Sequence, residues 1–469
     1  MKPDKSRSLH GRLRRHESAA GHGKAEPAAD VVNDPFVEIK NAAQREAVRE
    51  LGQDLVEGEV PEDELREHVQ KAVDEALAEA GTPLSMADRT RLVREITSNI
   101  LGYGPIEPFL ADDSISEVMV NNHHTIYIER GGQIEETDVQ FASERHLLQV
   151  IDRIVAQTGR RIDEASPMVD ARLPDGSRVN AIIPPLAITG PSLTVRKFSR
   201  EPLTIDDLIA FGTLSHQAAA FLEACVEGKL NVLVSGGTGT GKTTMLNVLS
   251  SFIPERERIV TIEDAAELRL SQKHVISLEA RPANIEGKGQ ISIRDLVKNA
   301  LRMRPDRIIV GECRGAETVD MLQAMNTGHE GSLTTIHANS PRDALARTET
   351  LVLTAGFDLP LKAIRDQIAS AFDLIIHTQR LVDGRRRITH ITEVPRVEGD
   401  VITLTDIFVA GFAGDAEDDH VSSTMRHTGI RPAFIDKLER NGVSLPKSFF
   451  NSDTSAKVDV LRRGQRRSA

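Results

Sequence analysis

The spacing of apolar positions changes along this chain, and each change predicts a different kind of structure. From about Phe36, the apolar residues Val37, Ile39, Ala43, Val48 and Leu51 keep a helical period within an acidic stretch. Val60-Pro-Glu-Asp-Glu64 restarts the period, and Leu65, Val69 and Val73 carry it on. Ser85, with Asp88 three residues later, caps a further helix whose stripe is Leu92, Val93, Ile96, Ile100 and Leu101. That helix stops at Gly102-Tyr-Gly-Pro105, and the period then shortens to two. Glu117–Val120, Thr125–Ile128, Val169–Leu173, Arg178–Ile183 and Ser192–Phe198 read as strands, with turns at Gly131-Gly132 and Pro174-Asp-Gly176. One helix interrupts them, marked by Leu147, Leu148, Ile151, Ile154 and Val155. Residues from about 100 to 198 thus predict an α+β unit with an antiparallel sheet, ended by the linker Ser199-Arg-Glu-Pro-Leu203.

Beyond the linker, short apolar runs alternate with helical stretches, which is the signature of a parallel sheet. Strands are expected at Asn231–Val234, Arg258–Ile262, Val275–Leu278, Arg307–Val310 and Leu333–His337, and helices at about 242–252, 292–303, 316–326 and 341–353. Ala371–Ala410 reads as strands about a turn at Asp383-Gly384. A mobile acidic loop, Gly414–Asp419, and a last helix near Pro432–Asn441 follow. The domain plan is a disordered tail over 1–35, a small helical module over 36–84 and an α+β N-terminal domain over 85–198. A linker over 199–204, a mainly parallel α/β domain over 205–450 and a disordered basic tail over 451–469 complete it. The first tail is polar and starts basic, too poor in apolar residues to order itself; a membrane-surface or partner-binding arm is the other reading.

Bulk properties narrow the picture. At 469 residues the chain is too long for one core. A formal net charge of -12 and a pI near 5.7 argue against a protein that coats duplex nucleic acid. Trp is absent and Tyr scarce, so no aromatic platform for single strands is expected. Cys225 and Cys313 stand far apart in apolar contexts and read as reduced, structural thiols. No apolar run reaches the length of a membrane span, and the basic N-terminus lacks the apolar core of a signal peptide. A cytoplasmic protein is expected.

The candidate chemistry centres on Ser235-Gly-Gly-Thr-Gly-Thr-Gly-Lys-Thr-Thr244, which fits G-x-x-x-x-G-K-[ST] with Gly236, Gly241, Lys242 and Thr243 in the fixed positions. An apolar strand precedes it, and Met245, Leu246, Val248, Leu249 and Phe252 follow at helical spacing. The backbone of Gly236, Gly237, Thr238, Gly239, Thr240 and Gly241, continuing into Thr244, is expected to cradle the phosphates of a nucleoside triphosphate. Lys242 neutralises the β- and γ-phosphates, and the Thr243 hydroxyl holds Mg²⁺.

Hydrolysis needs carboxylates as well. Arg307-Ile-Ile-Val-Gly-Glu312 is an apolar strand closing on an acid, the expected Walker B element, although Gly311 stands where an aspartate is common. Thr261-Ile-Glu-Asp264 closes another strand with Glu263, and Glu267 follows. His337 ends a strand on the expected nucleotide face, and His329 lies in Gly328-His-Glu-Gly331; both are phosphate-sensor candidates rather than metal ligands. Arg302, Arg304, Arg307 and Arg314 crowd the Walker B strand; Arg302 joins the sensor candidates, and Arg307 reads as a surface ion pair with Asp306 or Glu317.

The boxes Gly-Gly-Thr-Gly-Thr-Gly-Lys-Thr-Thr, Thr-Ile-Glu-Asp-Ala-Ala-Glu-Leu, Arg-Met-Arg-Pro-Asp-Arg-Ile-Ile-Val-Gly-Glu and Gly-His-Glu-Gly-Ser-Leu-Thr-Thr-Ile-His-Ala-Asn resemble the Walker A, Asp, Walker B and His boxes of the type II/type IV secretion and type IV pilus ATPases. Leu101-Gly-Tyr-Gly-Pro-Ile-Glu-Pro108, Asp170-Ala-Arg-Leu-Pro-Asp-Gly-Ser-Arg178, Gly429-Ile-Arg-Pro and Leu445-Pro resemble the CpaF branch, also called TadA, which drives Tad/Flp pili. The resemblance covers about residues 90–450. It implies a RecA-like P-loop ATPase domain behind a PAS-like α+β domain, assembled as a homohexamer at the cytoplasmic face of the inner membrane. The implied substrate is ATP with Mg²⁺, and the implied partners are TadB/TadC-like platform proteins and, indirectly, pilin, with no direct nucleic acid. By motif, Glu312 is the water-orienting glutamate, Glu263 the acid near Mg²⁺ (through water) and His337 the His-box histidine; Arg178 and Arg196 are the arginines that reach the phosphates. The chain lacks the four-cysteine zinc module of type II relatives. Three other readings stay open: an ATPase for type IV secretion of DNA or effectors, a nucleotide-gated structural adaptor, and a nucleic-acid translocase. Which of Glu263 and Glu312 is the main catalytic carboxylate also stays open.

Overall fold

The computed structural model describes residues 39, 42–43, 46–47, 62–81, 84–141, 143–198, 202–283, 288–395, 397–413, 422–450 and 461–462. The tail read over 1–35, residues 199–201 of the linker, the loop Gly414–Asp419 and most of the tail read over 451–469 lie outside the described residues. Contacts divide the chain into two units, Met1–Glu107 and Pro108–Ala469.

In the first unit, α1 (Glu62–Ala80) and α2 (Met86–Leu101) pack together through Val69, Val73 and Leu77 against Leu92, Val93 and Ile96, with Ile39, Ala43 and Ala47 in the same core. The predicted cap forms: the Asp88 amide donates to Ser85 Oγ at 3.1 Å, and the Ser85 hydroxyl donates to the Asp88 carboxylate at 2.6 Å.

The second unit carries two sheets. The first is wholly antiparallel, built from β1 (Ile115–Asn122), β2 (Thr125–Arg130), β3 (Gln133–Glu136), β4 (Met168–Arg172), β5 (Arg178–Ile182) and β6 (Ser192–Arg196), in the order β3-β2-β1-β6-β5-β4. The helix α3 (Glu144–Ala156) buries Leu147, Ile151, Ile154 and Val155 as their spacing predicts, and Val150 besides, while Leu148 is only half-buried.

The second sheet has nine strands: β7 (Val232–Gly236), β8 (Ile259–Glu263), β9 (Val275–Glu279), β10 (Arg307–Val310), β11 (Leu333–His337), β12 (Leu374–Arg380), β13 (Arg386–Glu393), β14 (Thr405–Ala413) and β15 (Ser422–His427). Their order is β15-β14-β13-β12-β7-β11-β10-β8-β9, parallel from β12 to β9 and antiparallel beyond. Every residue of β7, β8 and β10 is buried, as continuous apolar strands demand when helices cover both faces. One face packs on α4 (Ile205–Ala210), α5 (His216–Glu227) and α6 (Lys242–Ser251). The other packs on α7 (Ile293–Ala300), α8 (Glu317–Asn326), α9 (Pro341–Thr354) and α10 (Leu361–Ala371). Because β7, β8, β10 and β11 are parallel, their carboxyl ends (Gly236, Glu263, Val310 and His337) share one edge of the sheet.

Arg307 departs from expectation. It is fully buried rather than a surface partner of Asp306 or Glu317. Its Nε donates to Glu257 at 2.5 Å, Nη2 to the Val226 carbonyl at 2.8 Å and Nη1 to the Gly331 carbonyl at 3.1 Å. A burial this deep is tolerated because the charge is paired and the guanidinium's donors are engaged. Gly331 leaves the room: a Cβ there would collide with the guanidinium. The second glycine of the His box is therefore a packing requirement.

Candidate active site

Between β7 and α6 the chain makes a tight loop, and Gly239 (φ 68°) and Gly241 (φ 92°) supply the left-handed backbone it needs. Lys242 Nζ folds back to the Gly237 carbonyl at 2.8 Å, and Thr240 Oγ1 donates to the same oxygen at 3.0 Å. Thr238 to Thr244 line a cavity together with Glu263, Glu267, Glu312, Arg314, His337, Arg178 and Arg196. Gly236 and Gly237 are not among its lining residues. Gly236 is where it is for lack of space, since a Cβ would press on Thr240 and Thr378.

The acids come from neighbouring parallel strands. Glu263, at the end of β8, is 3% exposed and accepts backbone N–H groups from Glu267 at 2.8 Å and Leu268 at 3.1 Å. Burial pushes its carboxyl up to about 7 in spite of those two donors. The unusual Gly311 now has a physical account. A Cβ at that position would stand 2.9 Å from Glu263 Cγ. Glu263 occupies the space that a side chain after β10 would take. Glu312 projects beyond it and is held by Arg314 Nη2 at 2.6 Å, with Asp264 3.8 Å from the same guanidinium. Burial pulls the Lys242 ammonium below its ordinary value, and the nearby Glu312 carboxylate pulls it back.

The cations across the cavity come from the six-stranded sheet. Arg178 and Arg196 are register partners on β5 and β6. Arg178 Nε pairs with Glu267 at 3.1 Å and Nη2 donates to the Ala265 carbonyl at 2.7 Å, so β5 is tied to the loop after β8. His337 stands in register with Gly236 on β7. Two sensor candidates fall elsewhere. His329 precedes the start of β11, so a five-residue strand, about 13 Å long, separates it from the edge where His337 lies. Arg302 is exposed between α7 and the start of β10, at the same far edge. Neither reaches the cavity.

A second cavity, of about 550 Å³, adjoins the loop. Thr240, Gly241, Thr244 and Met245 form one side, and Leu203, Leu208, Phe211, Ile388 and Arg386 form the other. Sequence reasoning missed this wall. Its residues come from the linker, α4 and the β12–β13 hairpin, and nothing in their local pattern signals that they meet.

The fold is thus α/β with mixed sheets, and it sets a glycine loop between strand and helix, faced by acids from two adjoining parallel strands. The family described as Type II/IV secretion system protein matches residues 100–401, and the chain belongs to that family. A putative conjugal transfer protein of Mycobacterium tuberculosis is 39% identical over 319 residues, 67% of this chain and 90% of that protein. The type IV secretion system protein VirB11 of Bartonella henselae is 29% identical, over 61% of this chain and 90% of its own. Among solved structures, the VirB11 ATPase of the Brucella suis type IV secretion system, in complex with sulphate, is 28% identical. That match covers 62% of this chain and 95% of the other, at a TM-score of 0.34. No helix among the described residues is long and apolar enough to cross a membrane.

Proposed function

We propose that this chain hydrolyses ATP at the cavity between the P-loop and the arginines of β5 and β6, and couples that hydrolysis to movement of a membrane-bound assembly. The observation that carries the reading is convergence. Lys242, Glu263, Glu312, His337, Arg178 and Arg196 come from separate elements of two sheets and line one space. In this reading the loop N–H groups and Lys242 receive the phosphates, and the adjoining cavity takes the base and sugar. Glu312 orients the attacking water, and Arg314, Arg178 and Arg196 compensate developing charge at the γ-phosphate. The Thr243 hydroxyl and Glu263 are the hard oxygen donors that suit Mg²⁺, directly or through water, and Mg²⁺ when bound supplies further charge neutralisation.

The finer reading is a Tad/Flp pilus motor of the CpaF type: a homohexamer, peripheral to the cytoplasmic face of the inner membrane. It would act on TadB/TadC-like platform proteins and through them on pilin. Support comes from the Leu101–Pro108, Asp170–Arg178 and Gly429–Pro432 stretches. Its working parts in this proposal are the α+β domain over 85–198 and the ATPase domain over 205–450. A second reading, an ATPase of conjugal or type IV secretion, is favoured by the conjugal transfer relative at 39% identity.

The deciding experiment is ATPase rate against protein concentration, with particle mass measured in ATP and Mg²⁺. Specific activity that rises as a hexamer forms supports a ring motor with a composite site. A monomer that binds ATP tightly and does not turn it over, even with platform protein added, removes the motor reading in favour of an adaptor. Pull-down of pilus platform proteins against conjugation-channel proteins then separates the two assemblies.

A further inference from the structure

The hairpin of β12 and β13 reaches the P-loop from two directions. From β12, Thr378 Oγ1 lies 3.0 Å from Thr240 Oγ1 and donates to the Ser235 carbonyl at 3.2 Å. From β13, Arg386 Nε donates to the Gly239 carbonyl at 2.8 Å, across 147 residues of sequence. The same guanidinium uses Nη2 to reach Glu129 Oε1 on β2 at 3.3 Å. The other Glu129 oxygen stands 3.8 Å from Arg380 Nη1, at the end of β12. Glu129 is only 8% exposed, so this acid is enclosed by the hairpin it pairs with. The β2–β3 and β12–β13 turns also touch by backbone: a Cβ on Gly132 would stand 3.0 Å from the Gly384 carbonyl.

We propose that Glu129 and Arg386 are positioning residues for phosphate binding: Glu129 on the six-stranded sheet orients the Arg386 guanidinium, which sets the Gly239–Thr240 peptide of the P-loop. In a trans peptide the N–H points opposite to the C=O. A hydrogen bond that fixes the Gly239 carbonyl therefore also sets the direction of the Thr240 N–H, one of the donors a phosphate would meet. Without Glu129, Arg386, Arg380 and Arg196 are left as neighbouring cations without that carboxylate, and the Arg386 side chain loses the partner that aims it. The six-stranded sheet thus acts on the nucleotide by two routes: directly through Arg178 and Arg196, and indirectly through the shape of the loop. The inference rests on the reading of that loop as the nucleotide site.

The test is equilibrium titration of the full-length protein with mant-ATP, together with steady-state ATP hydrolysis. The variants are Glu129→Gln, Arg386→Gln, the double variant and, as a reference for the site itself, Lys242→Ala. Glu129→Gln is expected to weaken mant-ATP binding about three- to tenfold, the size of an ordinary net hydrogen bond, since Arg386 is partly exposed and acts on the phosphates only through the loop. KM for ATP rises by the same factor, kcat stays within about twofold, and the melting temperature is unchanged. Arg386→Gln is expected to weaken binding at least as much. Because Glu129 acts through Arg386, the double variant is no weaker than Arg386→Gln alone. Additive effects overturn the relay, as does Glu129→Gln binding like the wild type while Lys242→Ala abolishes binding. A fall in melting temperature and kcat with affinity unchanged overturns it too, and assigns the pair a structural role. If Lys242→Ala also binds normally, the nucleotide-site reading fails, and the relay fails with it.

Discussion

Replacing Glu263 with glutamine separates what the fold prefers from what the site needs. The carboxyl is buried at the end of β8 and moved from its ordinary 4.5 to about 7, chiefly by loss of solvation. At about 1.4 kcal/mol per pH unit, a charged Glu263 therefore costs the ligand-free fold roughly 3 kcal/mol above pH 7. The sign follows from the direction. A folded value above the unfolded one means that the folded chain holds the proton more tightly. The stabilising contribution is whole below pH 4.5 and is lost as pH rises through about 7. Glutamine carries no charge, and its carbonyl can still accept the Glu267 and Leu268 N–H groups. Glu263→Gln is thus expected to be more stable than wild type by up to about 3 kcal/mol at pH 8.5, and by little at pH 5. Guanidinium unfolding at the two pH values, without nucleotide or Mg²⁺, measures it. With ATP and Mg²⁺ the advantage is expected to shrink or reverse, because the wild-type carboxylate is a proposed donor toward Mg²⁺ and wild type therefore gains more stability from the bound ligand. A variant less stable than wild type at pH 8.5, or one whose advantage is the same at both pH values, refutes the burial argument.

Four other outcomes are expected. Lys242→Ala loses measurable mant-ATP binding, since the phosphate charge goes uncompensated; unchanged affinity would displace the site from the P-loop. Glu312→Gln keeps nucleotide bound and slows turnover by on the order of 100-fold or more, read in single-turnover assays; wild-type rates would pass the catalytic role to Glu263. Arg307→Met is expected to destabilise by about 3–5 kcal/mol, because Glu257 is left buried without its main partner, and adding Glu257→Gln recovers much of it in thermal melts; equal losses in the single and double variants would show that the pair's charge is immaterial. Gly311→Ala forces Glu263 aside and is expected to reduce turnover with the fold intact by circular dichroism. Normal kinetics there would mean that Glu263 need not keep its place.

The legible part of this protein lay in local pattern. Period-two and period-3.6 spacing located most strands of both sheets and the helices α3 and α6 to α9, but not α4, α5, α10, β3 or β15. A glycine loop between an apolar strand and a helix is a short-range signal, because the residues that shape it are neighbours in the chain. Glu263, Glu312 and His337 were readable for a related reason. Each closes a predicted parallel strand, and parallel strands bring their carboxyl ends to one edge. The same logic misplaced His329 and Arg302, whose boxes are near the site in sequence but lie at the opposite edge of the sheet.

Side chains that meet across long stretches of chain were beyond that reach. Arg307 looked like a surface charge because nothing adjacent announces Glu257, Val226 and Gly331 as its partners. Gly311 looked like a missing acid until Glu263, 48 positions earlier, was seen to fill its space. The Glu129–Arg386–Gly239 contacts join three distant segments that share no motif. By itself the sequence determined most of the strands and helices, the glycine loop between β7 and α6 and the acids at its edge, because these depend on spacing between near neighbours. Only the tertiary structure decided which charges are buried, which glycines make room and which wall encloses the second cavity, because burial and close approach exist only once distant segments pack.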